Sequence, residues 1–242
     1  MKIIVSPAKT MRIRVEACTT PYFIDKAMEI RGFLRGLDRE SLSKIWKCND
    51  KLIDQNIKLL ENDARFNLTR AIYAYDGLQF KNLEVESLGS SAIDFLNEHL
   101  YILSAVYGAL RPMDGVIPYR LEMQAMVNYN GFKTMYDYWG STIYDYITRD
   151  DNIIINLASK EYSDSIIPYI NGDVKLINIS FGSLKDNRLI IKSTESKILR
   201  GRFLRFIAEN KINNVEDLKG FNYDGFSYNS YDYSTNTMLF IR

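Results

Sequence analysis

The segment from Leu103 to Met123, LSAVYGALRPMDGVIPYRLEM, packs two prolines, two glycines, two arginines, two tyrosines and a glutamate into one turn-rich stretch. Pro112 and Pro118 fix φ and remove backbone donors, while Gly108 and Gly115 permit conformations closed to other residues, so regular helix or strand is not expected across its middle. The stretch reads as a shaped loop. Its polar heads, Arg111, Asp114, Tyr119, Arg120 and Glu122, are flanked by apolar anchors at Leu110, Val116, Ile117, Leu121 and Met123, which is how a rigid binding site is presented. Two readings stay open here: a binding loop, or a proline-braced connector in which Arg120 and Glu122 pair with each other or with neighbours.

With 242 residues, 46% of them hydrophobic, the chain has material for one large core. A single domain spanning 1–242 is expected. The formal net charge of +1 gives no general attraction to nucleic acid or to an anionic membrane, so polyanion binding must come from a local cluster. No basic, then apolar, N-terminal leader and no run of membrane-spanning length occurs. The expectation is a cytoplasmic protein without a membrane partner.

Cys18 and Cys48 are thirty positions apart and His99 is the one histidine. That spacing suits neither a dithiol nor a metal site, and neither a metal nor a cofactor is expected. His99 ends a helical pattern, where a structural or capping role fits. Seventeen tyrosines suit a wet, polar cleft, since the ring packs while the hydroxyl bonds.

Lys2 to Val5 reads as a short buried strand, followed at once by Ser6-Pro7-Ala8-Lys9. In α/β proteins ligands bind at that end of a strand, which makes Lys9 a candidate anion contact; a strand-ending turn with a solvated lysine is the plain alternative. From Tyr22 to about Phe66 the periodicity is helical, with a break at Gly36 and Asp38 and a cap near Asn49-Asp50. Short helices carrying Lys44, Lys47 and Lys51 suggest a helix-hairpin-helix, or else an ordinary helical layer. A weaker hairpin candidate lies at Glu216 to Phe221. Ser90-Ser91 caps the next helix, Tyr101 to Leu103 is strand-like, and Met135, Trp139, Ile143 and Tyr146 recur at helical spacing. Ile153 to Leu157 is a buried strand followed by Ala158-Ser159-Lys160-Glu161-Tyr162. Val174 to Phe181 and Arg188 to Ile191 form an antiparallel hairpin around Lys185-Asp186-Asn187, and Asn236 to Ile241 a closing strand. The fold class is α/β (α+β mixed): a mixed sheet surrounded by helices.

The helix from about Glu195 to Asn210 holds an irregularity. At about 100° per residue, Arg200 falls inside the apolar arc of Leu199, Phe203, Leu204, Phe206 and Ile207. Such an arginine must be paired, with Glu122 or Glu161 as candidates, or must face a ligand. Lys197 and Arg205 lie beside it on the polar shoulder. Gly201, costly in a helix interior by about 1 kcal/mol, lets another backbone or a ligand approach.

The central segment resembles the LSxLYGxLRPxDxxxPYRLEM hallmark of the YaaA family, bacterial peroxide-stress proteins, with Val106 at the leucine position. The resemblance spans nearly the whole chain. It continues in Ser6-Pro7-Ala8-Lys9, Asp50-Lys51-Leu52, Ala71-Ile72 with Ala74-Tyr75 and Gly77, and Ile155-Asn156-Leu157-Ala158-Ser159 with Glu161-Tyr162. Lys197, Arg200, Gly201 and Arg205 match a KxxRGxxxR pattern, and Gly220-Phe221, Gly225, Ser234 and Asn236 a C-terminal signature. Leu199 departs from it, standing where a small residue is usual. The resemblance implies an unusual fold, a role in peroxide stress and in limiting damage from intracellular iron, and DNA binding through a positively charged cleft and a helix-hairpin-helix.

Joining both lines, the strand-end loops at Lys9, Arg120 and Ser159 are expected to meet the Arg200 helix. They would form a cleft whose DNA or anion contacts are Lys9, Arg111, Arg120, Lys197, Arg200 and Arg205. Double-stranded or branched DNA is the expected partner, because arginine and lysine neutralise phosphates and tyrosine stacks on bases. The competing class is an enzyme acting on a nucleotide or nucleobase, with Glu122, Tyr119 and Lys9 as candidate catalytic groups. Glu122 divides the two, since a carboxylate repels phosphate but can accept from a base.

Overall fold

The chain opens with β1 (Lys2–Val5), whose Ile3, Ile4 and Val5 are fully buried, as a strand covered on both faces requires. A computed structural model describes residues 1–14, 19–61, 68–186 and 188–242; Cys18, Phe66 and Asn187 lie outside the described residues. A helical layer follows, made of α1 (Ile24–Arg35), α2 (Arg39–Trp46) and α3 (Asp50–Glu61). The Asp38 side chain accepts from the Ser41 amide at 2.8 Å and that of Asn49 from the Leu52 amide at 3.0 Å, so both later helices carry side-chain caps. Then come β2 (Thr69–Arg70), α4 (Ala71–Ala74), α5 (Leu78–Leu83), α6 (Ser90–His99) and β3 (Leu100–Ser104). Gly89, not Ser90, caps α6, and no side chain contributes. His99 meets the Met1 carbonyl at 2.8 Å and stacks on Phe95, a structural placement.

The central segment is more regular than expected. It contains β4 (Gly108–Leu110), folded back on β3, and β5 (Gly115–Val116), paired with β2. Two features make the return possible. Ser104 Oγ accepts from the Tyr107 amide at 2.9 Å, and Gly108 adopts φ +69°, a left-handed conformation that glycine tolerates. Beyond it lie β6 (Met126–Tyr129), β7 (Phe132–Thr134), α7 (Met135–Trp139) and α8 (Thr142–Thr148). Gly140, at φ +49°, splits what periodicity presents as one helix. Trp139 is core, its indole donating to the Ala105 carbonyl at 2.8 Å. The chain ends through β8 (Ile153–Leu157), α9 (Lys160–Ser163), β9 (Lys175–Lys185), β10 (Arg188–Ile190), α10 (Ser193–Asn210), β11 (Asn222–Tyr223), β12 (Phe226–Asp232) and β13 (Thr237–Ile241). Glu216–Gly220 is a 3-10 turn leading into strands, so the C-terminal hairpin candidate has no second helix.

The main sheet has the order β11-β12-β13-β9-β8-β1-β3-β4. Its five middle strands, β13 to β3, are parallel, while β4, β12 and β11 run antiparallel to their neighbours. The sheet is therefore mixed and the class α/β, with helices packed around a hydrophobic core that runs through the sheet. Among the described residues no helix is long and apolar enough to cross a membrane.

A Cβ at Gly108 would meet the Trp139 ring at 2.8 Å, whereas one at Gly131, also left-handed at φ +84°, meets nothing within 4 Å. Gly108→Ala is expected to lower unfolding free energy by about 3 kcal/mol and Gly131→Ala by about 1 kcal/mol, from strain with and without overpacking. Urea denaturation of both variants checks the difference.

Candidate anion-binding site at the strand ends

Sheet topology selects the location. From β1 the chain passes to β3 on one side, and from β8 it passes to β9 on the other. The strand order therefore turns back between β8 and β1, and loops leaving such a point diverge to open a crevice beyond the carboxyl ends of the strands. The loops after β1 and β8 are tied together there: Ser6 Oγ accepts from the Ser159 amide at 2.8 Å and lies 3.1 Å from its hydroxyl.

The central segment is stitched over the same crest at three points. At the end of β3, Ser104 Oγ lies 2.7 Å from the Tyr119 hydroxyl, which also bonds the Tyr75 hydroxyl at 2.9 Å. At the end of β1, Lys9 Nζ meets Glu122 Oε1 at 2.7 Å, and Arg120 Nη2 meets the same oxygen at 3.0 Å. After β8, Glu161 Oε1 accepts from the Met123 amide at 3.0 Å. The three strand-end loops thus converge, and Arg120 and Glu122 do pair, within a cluster that also takes in Lys9.

These carboxyls differ in state. Burial works to raise the pKa of Glu122, but Lys9 and then Arg120 outweigh it and hold the group below its ordinary range. For Glu161, burial and then the charge of Glu122 push the pKa up against its backbone hydrogen bonds. Two neighbouring carboxyls with pKa values driven apart form a pattern seen in acid–base sites. Burial also raises the phenols of Tyr119 and Tyr75, so both are neutral hydroxyls that can donate.

The remaining candidates are not gathered into one cluster. Arg111 lies against Tyr101, Tyr146 and Asp114; because β4 runs back along β3, with Leu110 opposite Ile102, it is carried toward the other end of the sheet. Arg205 closes α5 by donating to the Leu83 and Glu84 carbonyls at 3.1 and 3.2 Å and to Ser87 Oγ at 2.8 Å, and it pairs with Glu209. This is a structural engagement, so the compact cationic shoulder read from the helix is dispersed. Lys197 is solvent-exposed.

Arg200 is different. Neither Glu122 nor Glu161 pairs with it; its Nε is buried without a hydrogen-bond partner, and burial lowers its pKa with no charge opposing. Its helix packs closely on α5, whose capping glycine in turn packs on the loop after β1. A Cβ at Gly201 would run into the Gln79 carbonyl in the first turn of α5, and one at Gly77, the cap of α5, would meet Ala8 Cβ at 2.8 Å. Gly201 thus serves close approach of another backbone.

Sequence reasoning missed the Tyr75–Tyr119–Ser104 hydroxyl chain, whose members are far apart along the chain and carry no spacing signal. It also missed Arg31, 1% exposed in α1, with Nη1 3.4 Å from the Pro118 carbonyl and two nitrogens unpartnered. The helical-arc test that singles out Arg200 finds Arg31 too, between Ala27 and Ile24. Among the described residues, no group of three or more His, Cys, Asp or Glu is placed to hold a metal.

The two carboxyls give opposite pH signatures. Glu122, depressed in the folded state, contributes stability that is present above about pH 4.3, the ordinary glutamate value, and lost on acidification below it. Glu161, raised in the folded state, contributes stability present below that value and lost as pH rises through its elevated pKa. Glu122→Gln should therefore be destabilised at neutral pH, with a deficit that shrinks in acid. Glu161→Gln should gain on the wild type as pH rises from about 4 to 7. Urea midpoints across that range test both.

Comparison with known proteins agrees with the motifs from which this site is built. A family model described as peroxide stress protein YaaA matches residues 1–231. Similar relatives include UPF0246 proteins of Agathobacter rectalis, 44% identical across 95% of this chain and 94% of the relative, and of Lachnoclostridium phytofermentans, 39% identical across 100% and 96%. A third, from Ligilactobacillus salivarius, is 38% identical across 99% and 98%. Over essentially its full length, the chain belongs to the YaaA family of peroxide stress proteins.

Proposed function

We propose that the chain acts in the cytoplasmic peroxide-stress response by binding DNA, double-stranded or branched, with a backbone phosphate at Arg200 and further contacts from Arg120 and Lys9, and so limits iron-mediated oxidative damage. The observation that carries this reading is Arg200, which has no acidic partner among the described residues. A guanidinium largely withdrawn from water without an acidic partner is costly, and a phosphate oxygen is the complement it lacks. Arg111 and Arg205, engaged elsewhere, drop out of the contact set. In the helical layer Lys44 is occupied by Glu40 at 2.7 Å, which leaves Lys47 and Lys51, at the turn joining α2 and α3, as the proposed backbone grip. That turn, Lys47 to Asn49, has no glycine; Lys47 itself takes φ +46°.

A second reading, an enzyme acting on a nucleotide or nucleobase, is favoured by one specific observation. Lys9 and Arg120 are both committed to Glu122, which fixes a carboxylate on the crest where a base can donate to it and where a continuous phosphate track is weakened. In that reading Glu122 orients or deprotonates the base, while Tyr119 and Lys9 donate.

Labelled duplex and branched DNA titrated across a salt series test the proposal. Arg200→Ala should lower the log–log salt slope for duplex by roughly 0.9 for each phosphate that is no longer neutralised. Arg200→Leu should lower the slope to the same extent and also raise thermal stability, since a buried charge without an acidic partner is replaced by a packed side chain. Arg205→Ala should leave the slope unchanged and cost about 2 kcal/mol of stability. DNA binding indifferent to Arg200, or absent altogether, sinks the assignment; turnover of a nucleotide abolished by Glu122→Gln establishes the second reading.

A further inference from the structure

A second concavity lies beside the crest and shares Tyr75 with it. Its volume is about 380 Å³, within the range of roughly 300–1,000 Å³ typical of small-ligand sites. Tyr73, Tyr75 and Phe80 supply aromatic lining, while Arg12, Asp76 and Lys81 supply charge. The Ala71-Ile72, Ala74-Tyr75 and Gly77 motif, which the crest uses only through the Tyr75 hydroxyl, borders this space through Ile72 and Tyr75.

The charges are arranged asymmetrically. Arg12 Nη2 and Lys81 Nζ share one carboxylate, Asp76, at 3.0 and 3.3 Å, so one positive charge at that end is not neutralised. The other carboxylates of the lining are occupied from outside it: Glu84 by Arg202 at 2.7 Å and Glu86 by Arg14 at 2.8 Å. Neither competes for Arg12 or Lys81. Arg14 also lies over the Tyr73 ring, 5.7 Å from its centroid, which holds that ring in place. An aromatic lining with a single excess cation at one end is complementary to a planar heterocycle that carries an anionic group.

We propose that this cavity is a separate binding site for a mononucleotide, with the base against Tyr73 and Phe80 and the phosphate on the exposed faces of Arg12 and Lys81 that Asp76 does not cover. It goes beyond the DNA reading, because it uses other residues and needs no DNA. Tyr75 belongs to both places, lining the cavity while its hydroxyl bonds Tyr119, so an occupant here borders the residue that supports the Arg120 loop.

The test is fluorescence titration of the full chain with N-methylanthraniloyl-AMP. Saturable binding is expected, weakened about fivefold by Lys81→Gln and by Tyr73→Ala, and recovered in Lys81→Arg, since a shared exposed cation gives a modest charge-assisted contact. Lys81 is more than half exposed, so its replacement tests binding with little risk to folding. Binding that falls with Arg200→Ala but not with Lys81→Gln overturns the cavity and moves the nucleotide to the crest. Absence of saturable binding into the millimolar range overturns it as well. Neither outcome bears on the salt dependence of DNA binding, so the two proposals fail separately.

Discussion

Glu122, gripped by Lys9 and Arg120, is the interaction on which the crest depends. An exposed lysine and a largely buried arginine, sharing one largely buried carboxylate, fasten a loop to the end of the strand at the turning point of the sheet. Removing the carboxylate would leave two positive groups close together without compensation, a larger loss than the worth of either contact. Ser104 and Glu161 then fix the loop on either side of that anchor. Each of the three parallel strands β3, β1 and β8 thus ends in a polar contact to the same segment, which makes the loop a rigid element despite its prolines and glycines.

Arg31, Arg120, Arg200 and Arg202 all carry buried nitrogens without hydrogen-bond partners, but Arg120 and Arg202 are ion-paired with Glu122 and Glu84, so Arg31 and Arg200 stand out. In both, burial lowers the proton affinity. Their settings differ. Arg31 is sealed behind the loop and reaches the Pro118 carbonyl, so it supports the segment from within. Arg200 retains solvent access, so the missing partner can arrive from outside.

The sequence discloses strand ends better than it discloses partners. β1 and β8 are legible because buried apolar runs stop abruptly at polar turns, and that logic places the Lys9, Arg120 and Glu161 loops together. β4 and β5 are not legible: three-residue and two-residue strands are too short for periodicity, and the return at Gly108 depends on a Ser104 hydroxyl that pattern rules do not weigh. The helix containing Arg200 can be drawn from its periodicity, yet its polar shoulder misleads. Angular position puts Lys197, Arg200 and Arg205 on one edge, but it is silent about α5, whose final carbonyls claim Arg205. Arg111 is misplaced by sequence for a related reason, since only the reversal of β4 decides which end of the sheet it reaches.

The position of β1 has a consequence for how the chain is made. This first strand lies in the middle of the sheet, with Ile3 beside Leu100 on one side and Ile155 on the other. Pairings that distant in sequence are slow to form, because long loops must close before any contact rewards them. At roughly 5–20 residues per second of synthesis, the KIIV strand waits on the order of ten to thirty seconds for its second neighbour to be synthesised. Throughout that interval an apolar strand with open edges is available to other chains, so a nascent chain of this family needs either dilution or chaperone cover until β8 has left the ribosome.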